Sequence, residues 1–423
     1  MNTLTQMLAP IPLPPMIRIR QSFDASRLED PAGELRRKLA DSPELARIQP
    51  GQQIAVVAGS RGIANLAAMT KELVEAIRAR GAEPFLVPGM GSHGGATAEG
   101  QQRVLEHLGI SEASMGVPIR SSMDVVEVDR LENGLPVYAD ALAAQADGIV
   151  VINRIKPHTA FRGRIESGLM KMIAIGLGKQ KGAEACHQLG FKYMAENVPK
   201  MANILIQKLP ILFGVGIVEN AYDQTCRIEV VAAAEMEARE PELLEEAKSR
   251  MPRIPFEQLD VLIIDYIGKN ISGDGMDPNI TGRYPTPYAH GGPDVSKMVV
   301  LDLTAESHGN ANGVGTADFT TRRLVDKTDW PATYANGLTS TVCAPTKMAT
   351  VLENDRDAIK AAIKTCNILD YTTCRLARIR DTLHLGELEI SLPLLEEARR
   401  ITGVEIVGVP YEWTFDADGY LTK

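Results

Sequence analysis

The chain has 423 residues, 44% hydrophobic and 23% charged, a globular composition with room for two or three domains of about 100–200 residues each. Its formal net charge of −9, with Lys and Arg scattered rather than clustered, argues against a nucleic-acid groove. Five cysteines at irregular spacing and without a C-x-x-C pair argue against a disulfide framework or a zinc ribbon, and for a reducing cytoplasm.

The opening MNTLTQMLAPIPLPPMIRIR lacks a basic start followed by an apolar core, so no secretory signal is expected there. QQIAVVAGSRGIANLAAMTKELVEAIRARGA then reads as strand, Gly turn and helix. Its apolar run is 54–58, its helical spacing runs from Leu66 to Ile77, and Gly81 is the expected C-cap. EPFLVPGMGSHGGATAEGQQRVLEHLGI repeats the pattern, with a strand near 84–87, a Gly-rich loop and a helix to Leu108. ADGIVVINRIKPH is a third strand that runs into a loop. Alternating strands and helices predict an α/β protein with a parallel or mixed sheet, whose ligands sit at the carboxyl ends of strands.

Further on, NILIQKLPILFGVGIV is interrupted by Lys208 and Pro210, and falls short of the roughly 20 apolar residues of a membrane helix. A charged helix, REPELLEEAKSRM, ends near Met251, and MPRIPFEQ follows as a linker. We therefore expect an N-terminal α/β domain over 1–255 and a second over 256–423, with the site in the cleft between them. The second should hold strands at 260–264 and 297–303, helices near 320–326, 355–367 and 392–401, and a closing strand. Its tail is expected to pack back on the first domain.

Three loops that follow strands carry the chemistry-bearing residues. In GSRG, Gly59 to Gly62, backbone N–H groups at a helix start and the cation of Arg61 suit a phosphate or carboxylate, although many α/β turns look alike. GMGSHGGAT places His93 among glycines, where packing does not require it and a proton shuttle is the natural use. KPHTAFRG places His158 after Pro157, which fixes the backbone and so aims the imidazole. In ESGLMKMIAIGLGKQKGAEACH, Lys171 lies among Met170, Met172, Ile173 and Ile175. Such a lysine must snorkel, pair or lose its charge, and a desolvated lysine is a candidate nucleophile or covalent anchor. His187 is either a metal ligand or a partly buried helix residue. None of the histidines shows the i,i+4 or H-x-E spacing of a classical zinc site.

The ordered set GSRG, GSHGGAT, KPHTAFRG and a lysine followed by His187 resembles the nickel-dependent lactate racemase family, over almost the whole chain. The resemblance implies a nickel-pincer nucleotide cofactor (nickel pyridinium-3,5-bisthiocarboxylic acid mononucleotide). It implies that Ala58, Gly59, Ser60 and Arg61 hold the nucleotide and that Arg61 also lies near the substrate. It assigns His93 and His158 as acid/base groups, Lys171 as the residue joined covalently to the cofactor, and His187 as the nickel ligand. The reaction implied is inversion of the hydroxyl-bearing carbon of a 2-hydroxy acid. A histidine removes the hydroxyl proton while hydride passes from Cα to the cofactor, and two histidines serve the two configurations. Cofactor-making proteins are implied partners; no nucleic acid or membrane is.

Two segments depart from the family pattern. RIESGLMK lies between the histidine loop and the lysine like a short insertion. Where the lactate enzyme offers glutamine and lysine to substrate, this chain has Gly273 and Met276, leaving Lys269 or Arg283 to supply the charge. A larger or differently charged hydroxy acid, or a sugar acid, is therefore as well matched as lactate. Two rival readings remain: a divalent-metal hydrolase using His93, His158 and His187 with Glu166, and a non-catalytic nucleotide- or cofactor-binding protein.

Overall fold

The apolar run at 54–58 lies in the strand Gln53–Ala58, where every side chain from Ile54 to Ala58 is buried. Burial on both faces marks an inner strand of a parallel sheet covered by helices. The computed structural model describes residues 3–60 and 62–422. It divides into two units, Asp24–Met251, and Met1–Phe23 together with Pro252–Lys423.

In the unit Asp24–Met251 five strands lie in the order Glu83–Pro88, Gln53–Ala58, Gly148–Arg154, Ile211–Glu219 and Thr225–Ala232. The first four are parallel, and the last is an antiparallel edge. The chain leaves Gln53–Ala58 for one neighbour and returns later to its other side. The crevice beyond the carboxyl ends of Gln53–Ala58 and Gly148–Arg154 is thus the topological switch point of this sheet. The helix Leu66–Ala79 buries Leu66, Met69, Leu73, Val74 and Ile77, a helical stripe that joins the core formed by Ile54, Val56, Val150 and Val215. Gly81 takes φ +79° just after it, which lets the chain turn back into the next strand.

The other unit is built on an eight-stranded sheet. Its order is Thr350–Leu352, Phe319–Thr321, Asp294–Leu303, Gln258–Ile267, Leu376–Ile379, Glu387–Ser391, Met16–Gln21 and Val404–Tyr411. The first five are parallel and the last three pair antiparallel. Residues 3–23, expected with the first domain, therefore belong here. MIRIRQ buries Met16, Ile17, Ile19 and Gln21, while Arg18 and Arg20 meet Glu389 and Glu387 at 3.5 and 2.7 Å on the neighbouring strand. The tail packs within this unit. Trp413 donates its Nε1–H to the Pro14 carbonyl at 2.7 Å, and the Leu421 amide donates to Asp355 at 2.9 Å.

The expected helix over 392–401 shrinks to a turn at Leu392–Leu394 and a short helix Leu395–Ala398. The run NILIQKLPILFGVGIV splits into the end of the helix Met194–Lys208 and the strand Ile211–Glu219, parted at Pro210. Among the described residues no helix is long and apolar enough to cross a membrane.

Candidate active site

The loops at the switch point close on one side chain, Met172. A Cβ on Gly59 would stand 2.8 Å from its Cε, and one on Gly89 would stand 2.6 Å from its Sδ. A side chain at either position would have to displace Met172, and at Gly89 it would also meet Val57 Cγ1, 2.4 Å from such a Cβ. Ala58 ends its strand in the core, and Ser60 Oγ hydrogen-bonds His93 Nδ1. Arg61 lies outside the described residues.

His158 is fixed from both sides. Its amide donates to the fully buried carboxylate of Glu166 at 2.8 Å, which Arg162 and Lys248 neutralise at 3.3 and 3.1 Å. Its ring Nδ1 accepts from the Ala160 amide at 3.0 Å, and its Nε2 lies 2.9 Å from Lys171 Nζ. An amide can only donate, so in neutral His158 the proton sits on Nε2. Nε2 thus faces the Lys171 amino group. Burial above all, then the positive charges of Lys171, His187, Arg162 and Lys156, pushes the His158 pKa well below its ordinary value, in keeping with a neutral ring.

His187 ends the helix Lys179–His187 with Nδ1 2.6 Å from the Ala183 carbonyl. That bond places the ring proton on Nδ1 and leaves the Nε2 lone pair for a ligand. Burial lowers its pKa, the Ala183 bond opposes this, and the charge of Lys171 adds to the lowering. His158 and His187 share the ring of Phe191, at centroid distances of 6.0 and 5.3 Å. The structure thus brings His158, Lys171 and His187 together. It places His93 on a loop whose Gly91 packs against Ala183 and Ile175 of the same segment.

Lys171 ends the short helix Leu169–Lys171, followed by a π-helical stretch, Met172–Gly176, of a kind common at functional sites. Its first turn is capped by Glu240 of the helix Met236–Arg250, whose Oε2 accepts from the Met170 amide at 2.9 Å. Burial pushes this carboxyl up to about 7 against the opposing pull of the Met170 and Leu169 amides. Sequence reading missed Glu240 because REPELLEEAKSRM reads as a solvated charged helix. Its side chain is 1% exposed. Lys179 is also fully buried, whereas Lys181 is exposed.

Lys269 and Arg283 lie in the other unit. Lys269 Nζ donates to the Gly273 carbonyl at 2.5 Å and Asn336 Oδ1 at 2.8 Å. Arg283 donates to the Val295 and Ser296 carbonyls at 2.9 Å and meets Asp318 at 3.0 Å, which engages its guanidinium in the scaffold. Met276 is buried. Among the described residues no three His, Cys, Asp or Glu side chains converge as metal ligands. Glu166 is committed to Arg162, Lys248 and the His158 amide. The ligand set of the hydrolase reading is therefore not assembled.

The family model described as lactate racemase N-terminal domain matches residues 6–197. No curated protein matches the chain. Among solved structures, the lactate racemase apoprotein from Thermoanaerobacterium thermosaccharolyticum aligns with a TM-score of 0.54 at 12% identity, over 87% of this chain and 98% of that one. This second likeness is one of fold: a two-domain α/β architecture. Residues 6–197 are thus similar to the N-terminal domain of lactate racemases, and the chain as a whole shares the fold of one.

Proposed function

We propose that the protein is a racemase or epimerase that inverts the hydroxyl-bearing α carbon of a 2-hydroxy acid with a nickel-pincer nucleotide as cofactor. The observation that carries this reading is the 2.9 Å contact of Lys171 Nζ with His158 Nε2, on a wall shared with His187. The donor set fits the cofactor: a lysine amine able to form a covalent link, and an imidazole whose Nε2 lone pair can bind nickel. Lys171 would hold the group covalently, His187 would ligate the metal, and the Ala58–Gly59–Ser60 turn with Arg61 would hold the nucleotide. When bound, the cofactor supplies an acceptor for the α-hydrogen as hydride.

The chain's own residues position the substrate and move the proton. Lys156, Arg162 and Lys171 surround His158 with positive charge, which favours the carboxylate of a hydroxy acid. His93 and His158, on separate loops at the switch point, can each take the hydroxyl proton of one configuration and return it to the other. With Lys171 Nζ taken up by a covalent link, His158 Nε2 would be available to meet a hydroxyl. On this reading the enzymes that make the cofactor are partners and the cytoplasm is the site of action.

The test is mass spectrometry and metal analysis of protein coexpressed with the cofactor-making enzymes. An adduct on the Lys171 peptide together with bound nickel is expected; the absence of both overturns the reading. Chiral chromatography of a 2-hydroxy acid panel then separates a racemase from a protein that only carries the cofactor.

A further inference from the structure

The loop 89–97 is rich in glycine and carries an exposed histidine, so its backbone has little intrinsic reason to hold one shape. Beneath it lies a fully buried polar network. Gln101 donates its side-chain amide to the Met90 and Gly91 carbonyls at 2.8 and 2.9 Å and faces that of His93 at 3.4 Å. Gln101 Oε1 accepts from Lys179 Nζ at 3.1 Å, and the same ammonium donates to the Pro88 carbonyl at 2.7 Å. Its third partner is Asp140, 3.2 Å away, whose other oxygen caps the Leu142 and Ala143 amides. Gln101, Lys179 and Asp140 are each 0% exposed. Lys179 thus donates to Gln101 and the Pro88 carbonyl and is ion-paired with Asp140, while the Gln101 amide reaches the carbonyls of Met90, Gly91 and His93.

Two further observations show that the network is built for the loop. Lys179 adopts φ +55°, a left-handed conformation that a lysine takes only when its surroundings impose it. On the far side of the loop, a Cβ on Gly100 would fall 1.7 Å from the Gly94 carbonyl oxygen, so the loop backbone rests directly on the helix Ala98–His107.

We infer that Gln101 and Lys179, anchored by Asp140, are positioning residues that hold the His93 loop in the geometry its imidazole needs. The inference rests on reading His93 as an acid/base group. It concerns placement, and its test does not use turnover. The lock is required because proton transfer demands placement within a few tenths of an ångström, which a four-glycine loop cannot give by itself.

The experiment is carbethoxylation of the full-length, cofactor-free protein with diethyl pyrocarbonate, each histidine followed by peptide mass spectrometry. Gln101→Glu keeps the shape and the acceptor for Lys179 but has no amide protons for the loop; Gln101→Met loses both. In each variant the His93 rate should change severalfold from wild type. His107, on the same helix, and His384, in the other unit, should keep theirs. An unchanged His93 rate in both variants overturns the inference. If the His107 rate moves as well, the helix itself is disturbed and wild-type protein decides. The Gln101 side-chain amide protons should exchange with deuterium as slowly as buried backbone bonds, and exchange as fast as that of exposed side-chain amides overturns the lock. Whether His93 acts as an acid/base group is decided separately, by the effect of His93→Ala on inversion.

Discussion

Glu240→Gln should stabilise the protein at pH 8 relative to pH 5, compared with wild type. Glu240 is 1% exposed, and its pKa stands at about 7 against an ordinary 4.5. Between those values the folded chain holds a proton that the unfolded chain has released. Wild-type stability therefore falls as pH rises through this window, and the loss is complete above about pH 7. At about 1.4 kcal/mol per pH unit, the displacement corresponds to roughly 3 kcal/mol. Glutamine does not titrate, so the variant is spared this loss. It keeps an oxygen for the Met170 amide, but its NH₂ group replaces Oε1, an atom without a hydrogen-bond partner, facing Gly168. That substitution costs about 1–3 kcal/mol at every pH, and so cancels when two pH values are compared.

The assay is thermal unfolding of wild type and variant at pH 5 and pH 8. A unit of this size moves roughly 2–4 °C per kcal/mol, so the variant's Tm relative to wild type should rise by roughly 5–10 °C between the two. An equal difference in Tm at both pH values would refute the argument, because Glu240 would then be ionised in the fold throughout. Every other titrating group is common to both proteins and drops out. The result also bears on the site, since Glu240 holds the turn that presents Lys171.

Two shorter predictions concern the histidines. His93→Ala and His158→Ala should each abolish inversion in both directions, as followed by chiral chromatography; a variant with the full rate in both directions would end the two-base reading. Because the pKa values of His158 and His187 both lie below the ordinary 6.5, both rings stay neutral as pH falls through 6.5. The acid limb of kcat/KM should therefore lie below that pH, and a limb centred at or above it would contradict the burial argument.

The strand-end loops were legible in the sequence because their signals are local. An apolar run followed by Gly59, by Gly89 and Gly91, or by Pro157 announces a strand that opens into a loop, and the sheet places all three at one edge. Lys171 stood out because it interrupts an apolar run. Glu240, Gln101 and Lys179 did not stand out, because each sits in a segment with the polarity of a solvated helix. Their burial is decided by what packs over them from residues far away in the chain. The strand Met16–Gln21 was hidden for a related reason: its partners begin at Glu387 and Val404, and no local pattern specifies a pairing across that separation.

RIESGLMK was the segment without an assigned role, and the structure gives it one. Ile165 fills the core and Glu166 accepts from the His158 amide. Ser167 exchanges backbone hydrogen bonds with Lys156 at 2.8 and 3.3 Å. The Gly168 carbonyl accepts from Asn153 at 3.0 Å, and its missing side chain leaves room for Glu240, whose oxygen would lie 2.4 Å from a Cβ there. Glu166, Ser167 and Gly168 thus tie the histidine loop, the end of the third strand and the Glu240 cap to the turn that bears Lys171. A shorter connection would lose the Glu166 carboxylate, and with it the bond that fixes the His158 backbone. It would also leave Arg162 and Lys248 without their shared counter-charge. The 2.9 Å contact between His158 and Lys171 therefore depends on this connection, which holds the histidine backbone and the lysine turn against each other.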